Sequence, residues 1–342
     1  NRQGPMFARV PHLFQNLPFV KRSRACVHSE LVPLKRIVLI NKDRGMTSKN
    51  QEQTADVFGY KWGQENTYQS SAFFERNREY IISRYGDIEN AAWWKDYGDR
   101  PKFLDAGCGA GLGARTLLGD RLHKIDYLGV DISEAYAVAQ KQFEASGYSG
   151  RFMQADFTAL PATVGLFDVI LAEGVMHHTD NTEKAFHALV KRLAPRGRFL
   201  FYVYAKKGPI REFTDDYIRE KIQEMSPKEG WNALTSLTEF GKTLGELNIE
   251  IDLPRGIDLL DIPAGRINLQ RLFYWHVFKC YHRPDWTLEE MQHVNFDWYA
   301  PKNCRRHRKD EIERWCVAAQ LEIERLDQQE AGFTVVAHKK MI

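Results

Sequence analysis

Between Lys102 and Ala205 short apolar runs alternate with helical patterns, and this alternation restricts the fold more than any other feature of the chain. KFLDAG, DYLGVDIS, RFMQAD, FDVILAEG and GRFLFYVYA read as buried strands, and GARTLLGDRL, EAYAVAQKQFEAS and TEKAFHALVKRLA as helices between them. Such βα repetition builds a mostly parallel sheet with helices on both faces. The alternation stops after Ala205 and resumes near the end, with KDEIERWCVAA as a helix and LEIERLDQ and GFTVVAHKK as strands joined by a short turn around Gly332. Strands so closely linked must be antiparallel. The expected fold is therefore α/β: a doubly wound, mostly parallel seven-stranded sheet that ends in an antiparallel hairpin, with a helical insertion after the fifth strand.

The 342 residues are 43% hydrophobic, enough for one large or two modest cores. Four regions are expected. Residues 1–50 form a basic appendage, 51–98 a helical lead-in, 99–205 with 307–342 the α/β domain, and 206–306 an aromatic-rich insertion lying over the carboxyl edge of the sheet, where open α/β folds bind ligands. The appendage holds ten Lys/Arg against two acids, and the remaining residues 38 against 43. A basic head is compatible with nucleic acid, an anionic surface, a transit peptide or a solvated arm. No stretch approaches the roughly 18 apolar residues of a membrane span, so a cytoplasmic protein is expected. Five cysteines without a CxxC pair point to neither a disulfide framework nor a zinc knuckle nor a radical iron–sulfur site, and no metal is expected.

The segment DAGCGAGLG (Asp105 to Gly113) follows a strand and opens a helix, the setting of a nucleotide-binding loop. On glycines alone it also fits a dinucleotide fingerprint through Gly109, Gly111 and Ala114. The acids separate the two readings. Asp105, before the first glycine, would repel a pyrophosphate and favour an ammonium. Asp131, with the adjoining Ile132, ends the second strand, where a carboxylate can take both ribose hydroxyls. Asp156 ends the third and can accept from an adenine amino group, beside Phe157.

With FLDAGCGAG, YLGVDIS, FMQADF and FDVILAEGVMHHTD in order, residues 101–205 resemble the class I S-adenosylmethionine-dependent methyltransferases. The resemblance implies S-adenosylmethionine as cofactor, with Asp105, Gly107, Gly109 and Gly111 on its methionine part, Asp131 and Ile132 on the ribose, Asp156 and Phe157 on the adenine, and Glu173 beneath the sulfur. FGYKW (Phe58 to Trp62) is similar to a segment that closes over the cofactor in some of these enzymes, which places Tyr60 and Lys61 against it.

Methyl transfer mainly requires the acceptor to be held in line with the activated carbon, and a base only where the acceptor carries a proton. After the fourth strand stands AEGVMHH, with no Pro-Pro motif of nucleic-acid amino methylation anywhere in the chain and no cysteine in this loop to attack a pyrimidine. The segment resembles that of the quinone-, sterol- and sugar-methylating branch. By that resemblance His177 faces the acceptor as base, with His178 beside it; the alternative is two structural histidines in a turn leading to a helix capped at Asp180. Between Arg271 and Ala300 nine of thirty residues are aromatic, which fits a lid gripping an apolar acceptor, with Tyr274, His276, Asp297 and Tyr299 as polar tips, or equally a self-packed core or a homodimer interface. Arg305, Arg306 and Arg308 offer contacts for an anionic acceptor. A small-molecule acceptor is the leading expectation and nucleic acid is disfavoured. The rivals are an RNA or protein methyltransferase using the basic head, a non-catalytic cofactor-binding scaffold, and an NAD-dependent oxidoreductase.

Overall fold

The computed structural model describes residues 48–340, so the basic segment lies almost wholly outside the described residues. Two helices come first, α1 (Lys49–Gly63), capped by Ser48, and α2 (Ser71–Tyr85), capped by Ser70; each cap serine accepts a backbone N–H three residues on. The α/β unit follows as β1 (Lys102–Ala106), α3 (Leu112–Leu118), β2 (Asp126–Asp131), α4 (Ala135–Ala145), β3 (Arg151–Gln154), β4 (Phe167–Glu173), α5 (Thr182–Val190) and β5 (Leu193–Tyr204). The insertion holds α6 (Pro209–Ile222), α7 (Pro227–Ala233), α8 (Thr235–Leu247), β6 (Glu250–Leu253), β7 (Gly265–Asn268), α9 (Leu269–His276) and α10 (Leu288–Tyr299). It is helical as expected, apart from the small antiparallel pair β6–β7. The chain closes with α11 (Lys309–Ala318), β8 (Leu321–Gln328) and β9 (Gly332–Lys339).

The sheet has seven strands in the order β3-β2-β1-β4-β5-β9-β8, with β9 antiparallel to both its neighbours. This is the doubly wound architecture the alternation predicts. The last strand lies inside the sheet because GFTVVA is apolar on both faces, whereas β8 alternates Leu-Glu-Ile-Glu and takes the edge. Alternate residues of the central strands feed two cores. Leu104, Ile170, Phe199 and Phe201 meet Phe186 of α5 and Trp315 of α11 on one face; Phe103, Val169, Leu171 and Leu200 meet Ile81, Leu117 and Phe143 on the other.

Two boundaries differ from the sequence reading. The predicted helix TEKAFHALVKRLA ends at Val190, because the chain must already pair with Phe167 at Leu193; Arg196, at φ 63, turns the irregular start of β5. The cap of α5 is Asn181, whose side chain accepts from Lys184 N, while Asp180 accepts from Asn303 Nδ2. A capping box at Thr287 and Glu290 starts α10, with Thr287 N donating to Glu290 Oε2 at 2.9 Å. A third core joins Val57 of α1 to Ile222, Leu234, Phe296, Trp298 and Tyr299, so α1 packs on the insertion while α2 packs on the sheet. No helix among the described residues is long and apolar enough to cross a membrane.

Candidate functional site

The loop from β1 to α3 carries Gly107, Gly109 and Gly111 at φ 74, 50 and 72, a left-handed backbone that a side chain would strain by about 1 kcal/mol each. Space is also short: a methyl on Gly109 would come within 2.7 Å of Trp62 Nε1, and one on Gly111 within 2.8 Å of the Phe143 ring. Gly107 N and Cys108 N both donate to Val130 O, at 2.7 and 3.0 Å, tying the loop to the end of β2.

Parallel pairing of Ala106 with Val130 and of Asp131 with Gln154 brings the carboxyl ends of β1, β2 and β3 side by side. Asp105, Asp131 and Asp156 thereby share one sheet edge. Asp105 Oδ2 accepts from Tyr127 OH at 2.7 Å; burial pushes its carboxyl up to about 7 despite that bond, and the charges of Asp131 and Glu173 push the same way. Asp131 Oδ2 accepts from Gly109 N at 2.9 Å, and its Oδ1 from Ser133 N and Oγ at 2.9 and 2.6 Å. Burial raises its carboxyl too, against those three bonds. Ile132 O accepts from Gln154 Nε2, Asp156 Oδ1 from Thr158 N and Oγ1 at 2.8 and 2.7 Å, and the Phe157 ring is buried in the sheet core. Glu173, ending β4, is held by Arg84 and by Tyr85 OH at 2.6 Å, so α2 clamps the fourth strand end.

Beyond Glu173, Val175 packs against Gly107 and the chain turns into His177 and His178. His178 Nδ1 donates to Asn303 O at 2.6 Å, which fixes its neutral tautomer, and burial lowers its imidazole to about 4. His177 is fully buried, its ring centroid 3.7 Å from that of Tyr204, and neither ring nitrogen has a hydrogen-bond partner among the described residues. Burial, then the neighbouring His178, holds it well below 6.5, so it is the neutral imidazole at physiological pH.

Tyr204, at the end of β5, donates to Asp297 Oδ2 at 2.6 Å, and Asp297 Oδ1 takes Lys61 Nζ at 2.5 Å. Burial alone would raise the Asp297 carboxyl; Lys61, His178 and Lys279 override it and hold it well below the usual carboxylate range. One carboxylate of α10 thus ties α1 to the sheet. Lys61 Nζ lies 4.3 Å from the Trp62 ring, and Trp62 covers Gly109; Tyr60 instead packs edge-on against Trp231 and beside Phe296 of the insertion.

The expected acceptor-facing tips scatter. Tyr274 is buried, its carbonyl accepting from Arg211, and Tyr299 OH donates to Asp215 Oδ1 at 2.7 Å. His276 is half-buried at the end of α9, where Arg211 and Asp261 bear on it; neither it nor Tyr274 touches the glycine loop or His177 among the contacts of the described residues. Arg306 is taken up by Glu212 and Asp216, Arg305 is exposed and donates to Thr179 O, and Arg308 is exposed at the start of α11, so of the three only Arg306 is neutralised by acids of the protein. Lys279, Tyr204, Trp62 and Trp298 gather around the site without having been singled out. Trp62 lies inside FGYKW, and Lys279 and Trp298 inside the aromatic stretch between Arg271 and Ala300.

Residues 104–201 match the family model described as a methyltransferase domain. Over 112 residues the chain is 36% identical to an uncharacterized protein of Synechococcus sp., covering 32% of this chain and 27% of that one. Over 101 residues it is 35% identical to demethylmenaquinone methyltransferase of Thermus thermophilus, covering 29% and 45%. The crystal structure of magnesium protoporphyrin IX methyltransferase from Synechocystis with bound S-adenosylmethionine aligns at 13% identity and a TM-score of 0.46, covering 86% of this chain and 100% of that one. The matched stretches span less than half the length of these curated relatives.

The α/β domain is a class I S-adenosylmethionine-dependent methyltransferase domain, and S-adenosylmethionine is its cofactor. The residues present fit that molecule. Left-handed glycines without side chains let neighbouring groups lie directly against the loop backbone, and buried carboxylates at adjoining strand ends, one of them raised to about 7, are suited to a cationic partner and hydroxyl donors.

Proposed function

We propose that the whole chain transfers a methyl group from S-adenosylmethionine to an O, N or C atom of a small-molecule acceptor held between the sheet edge and the insertion. The observation that carries this reading is the meeting of three left-handed glycines with Asp105, Asp131 and Asp156 at one edge of the sheet. When bound, the cofactor supplies a methyl carbon already activated by its sulfonium.

The chain's own residues do the remaining work. Asp105 compensates the ammonium, Asp131 with Ile132 orders the ribose hydroxyls, and Asp156 with Phe157 receives the adenine. Lys61 acts through Asp297, holding α1 and Trp62 over the loop so that water is excluded. His177 is the group for the acceptor: a buried neutral imidazole with both nitrogens unpartnered can take a proton from an acceptor hydroxyl or amine, or accept a hydrogen bond that orients it. His178 is a positioning residue, fixed on Asn303. The aromatic insertion forms the enclosing wall through Trp298 of α10, with Tyr274 and His276 set back from the site.

Calorimetric titration of S-adenosylhomocysteine and, separately, NAD into the intact protein and an Asp131→Ala variant tests the reading. Binding of S-adenosylhomocysteine alone, weakened about tenfold or more in a variant that circular dichroism shows folded, is expected. Preference for NAD, or no binding of either, overturns it.

A further inference from the structure

We infer that Lys279 anchors an anionic group, a carboxylate or a phosphate, on the acceptor, and so makes the site selective for acids over their neutral analogues. The inference rests on the proposed methyltransferase reading and adds the chemical class of its acceptor.

Lys279 lies in the segment between α9 and α10 and is only 6% exposed. Its backbone is pinned from both sides: Lys279 N donates to Asp215 Oδ1 at 3.0 Å, and its carbonyl accepts from Tyr299 OH at 3.0 Å. The side chain lies along Trp298, with Nζ 5.3 Å from the ring centroid. Trp298 packs tilted at 4.8 Å against Tyr204, and Tyr204 tilted at 3.7 Å against His177, so one run of aromatic contacts links the ammonium to the unpartnered imidazole.

No carboxylate among the described residues pairs with Lys279. The nearby acids are taken: Asp215 by Arg211, Asp216 by Arg219 and Arg306, Glu212 by Arg306, and Asp297 by Lys61. Six cations therefore stand against four acids here, Lys61, Lys207, Arg211, Arg219, Lys279 and Arg306 against Glu212, Asp215, Asp216 and Asp297. Lys207, the other unpaired cation, is satisfied by the carbonyls of Glu330 and Ala331 at 2.5 and 2.8 Å, whereas the Lys279 ammonium has neither an ion pair nor a hydrogen-bond acceptor among the described residues. An ammonium on a largely buried side chain with no counter-charge is unfavourable and tends to lose its proton. Burial does lower this one to about 7, with Asp297 opposing and Arg211 assisting. An anionic group on the acceptor would supply the missing counter-charge and the missing hydrogen-bond acceptor together.

The test is calorimetry on the full chain with inorganic phosphate, 4-hydroxybenzoate and its uncharged analogue 4-hydroxybenzamide, each with and without S-adenosylhomocysteine, for the wild type, Lys279→Met and Lys279→Arg. Lys279→Met should weaken the anion that binds about tenfold or more, leave the amide and S-adenosylhomocysteine unchanged, and be rescued in part by Lys279→Arg. Which of the two anions binds distinguishes phosphate from carboxylate. Wild-type affinity for it should fall as pH rises through about 7, because Lys279 then loses its proton among Asp297, Arg211, Cys304, Asp215 and Lys207. Equal binding of benzoate and benzamide, undiminished anion binding in a folded Lys279→Met protein, or no anion binding to a protein that binds S-adenosylhomocysteine overturns the inference. Should Lys279→Met fail to fold, the wild-type anion-to-amide ratio and its pH dependence decide. Failure of S-adenosylhomocysteine to bind the wild type falls instead on the parent reading.

Discussion

Replacing Asp297 with Asn keeps the shape of the side chain and removes the only charge paired with Lys61 among the described residues. The Lys61 side chain is 7% exposed and that of Asp297 21%, so the remaining ammonium stays buried without a counter-charge. Breaking a buried pair from one side costs about 3–5 kcal/mol, and the partial exposure of Asp297 favours the lower end, about 3 kcal/mol. At about 2 °C per kcal/mol for a chain of this size, the midpoint of thermal unfolding should drop by about 6 °C. The pH dependence has a definite sign. The folded-state carboxyl lies below its unfolded value of about 3.9, so the stability it contributes is complete above about pH 4 and is lost as pH falls further. Urea denaturation of the wild type, Asp297→Asn, Lys61→Met and the double variant, at pH 7 and at pH 3.5, measures both effects. The gap between wild type and Asp297→Asn should narrow at the lower pH, and the double variant should recover part of the loss. A coupling below about 1 kcal/mol, or a gap unchanged at pH 3.5, would refute the reasoning that this pair ties α1 to the sheet.

Asp105→Asn should raise stability above pH 7, on the order of a few kcal/mol, because the folded carboxyl is raised to about 7 and its burial opposes ionisation; the gain should vanish towards pH 4, while S-adenosylhomocysteine binding weakens. A melt series in pH with parallel calorimetry checks this, and a gain that is independent of pH contradicts it. Gly109→Ala should lower stability by about 1–2 kcal/mol from its left-handed backbone and displace Trp62, read as a change in tryptophan fluorescence and a loss of cofactor affinity. His177→Leu should stabilise the fold by about 1–2 kcal/mol, since two unpartnered buried nitrogens disappear, and lower kcat by about a hundredfold or more once an acceptor is known; stabilisation with unchanged kcat would make His177 purely structural.

Much of this architecture was legible in the chain because its signals are local. Period-two and period-3.6 patterning marked the strands and helices, and the sharp turn of GCGAG marked the loop where the backbone must turn left-handed. Even the interior place of β9 is written in its continuous apolar run beside the alternating β8. Where tertiary pairing overrode local preference, as when Leu193 joined the sheet at the expense of a longer α5, the boundary could not be read. The capping of α5 by Asn181 rather than Asp180 depended on Asn303, more than a hundred residues away, claiming the aspartate.

The sequence by itself determined the fold class and the cofactor, since both rest on residue types at fixed short spacings. The polar side chains of the insertion were decided only in three dimensions. Tyr299 and Asp297 are close neighbours on one helix, yet the first is spent on Asp215 and the second carries Lys61 and Tyr204. Lys279 stands out only because every acid around it is bonded elsewhere, and His177 only because nothing among the described residues reaches its nitrogens. Whether a buried polar group is satisfied is a property of its neighbours in space, and a chain read along its length does not contain them.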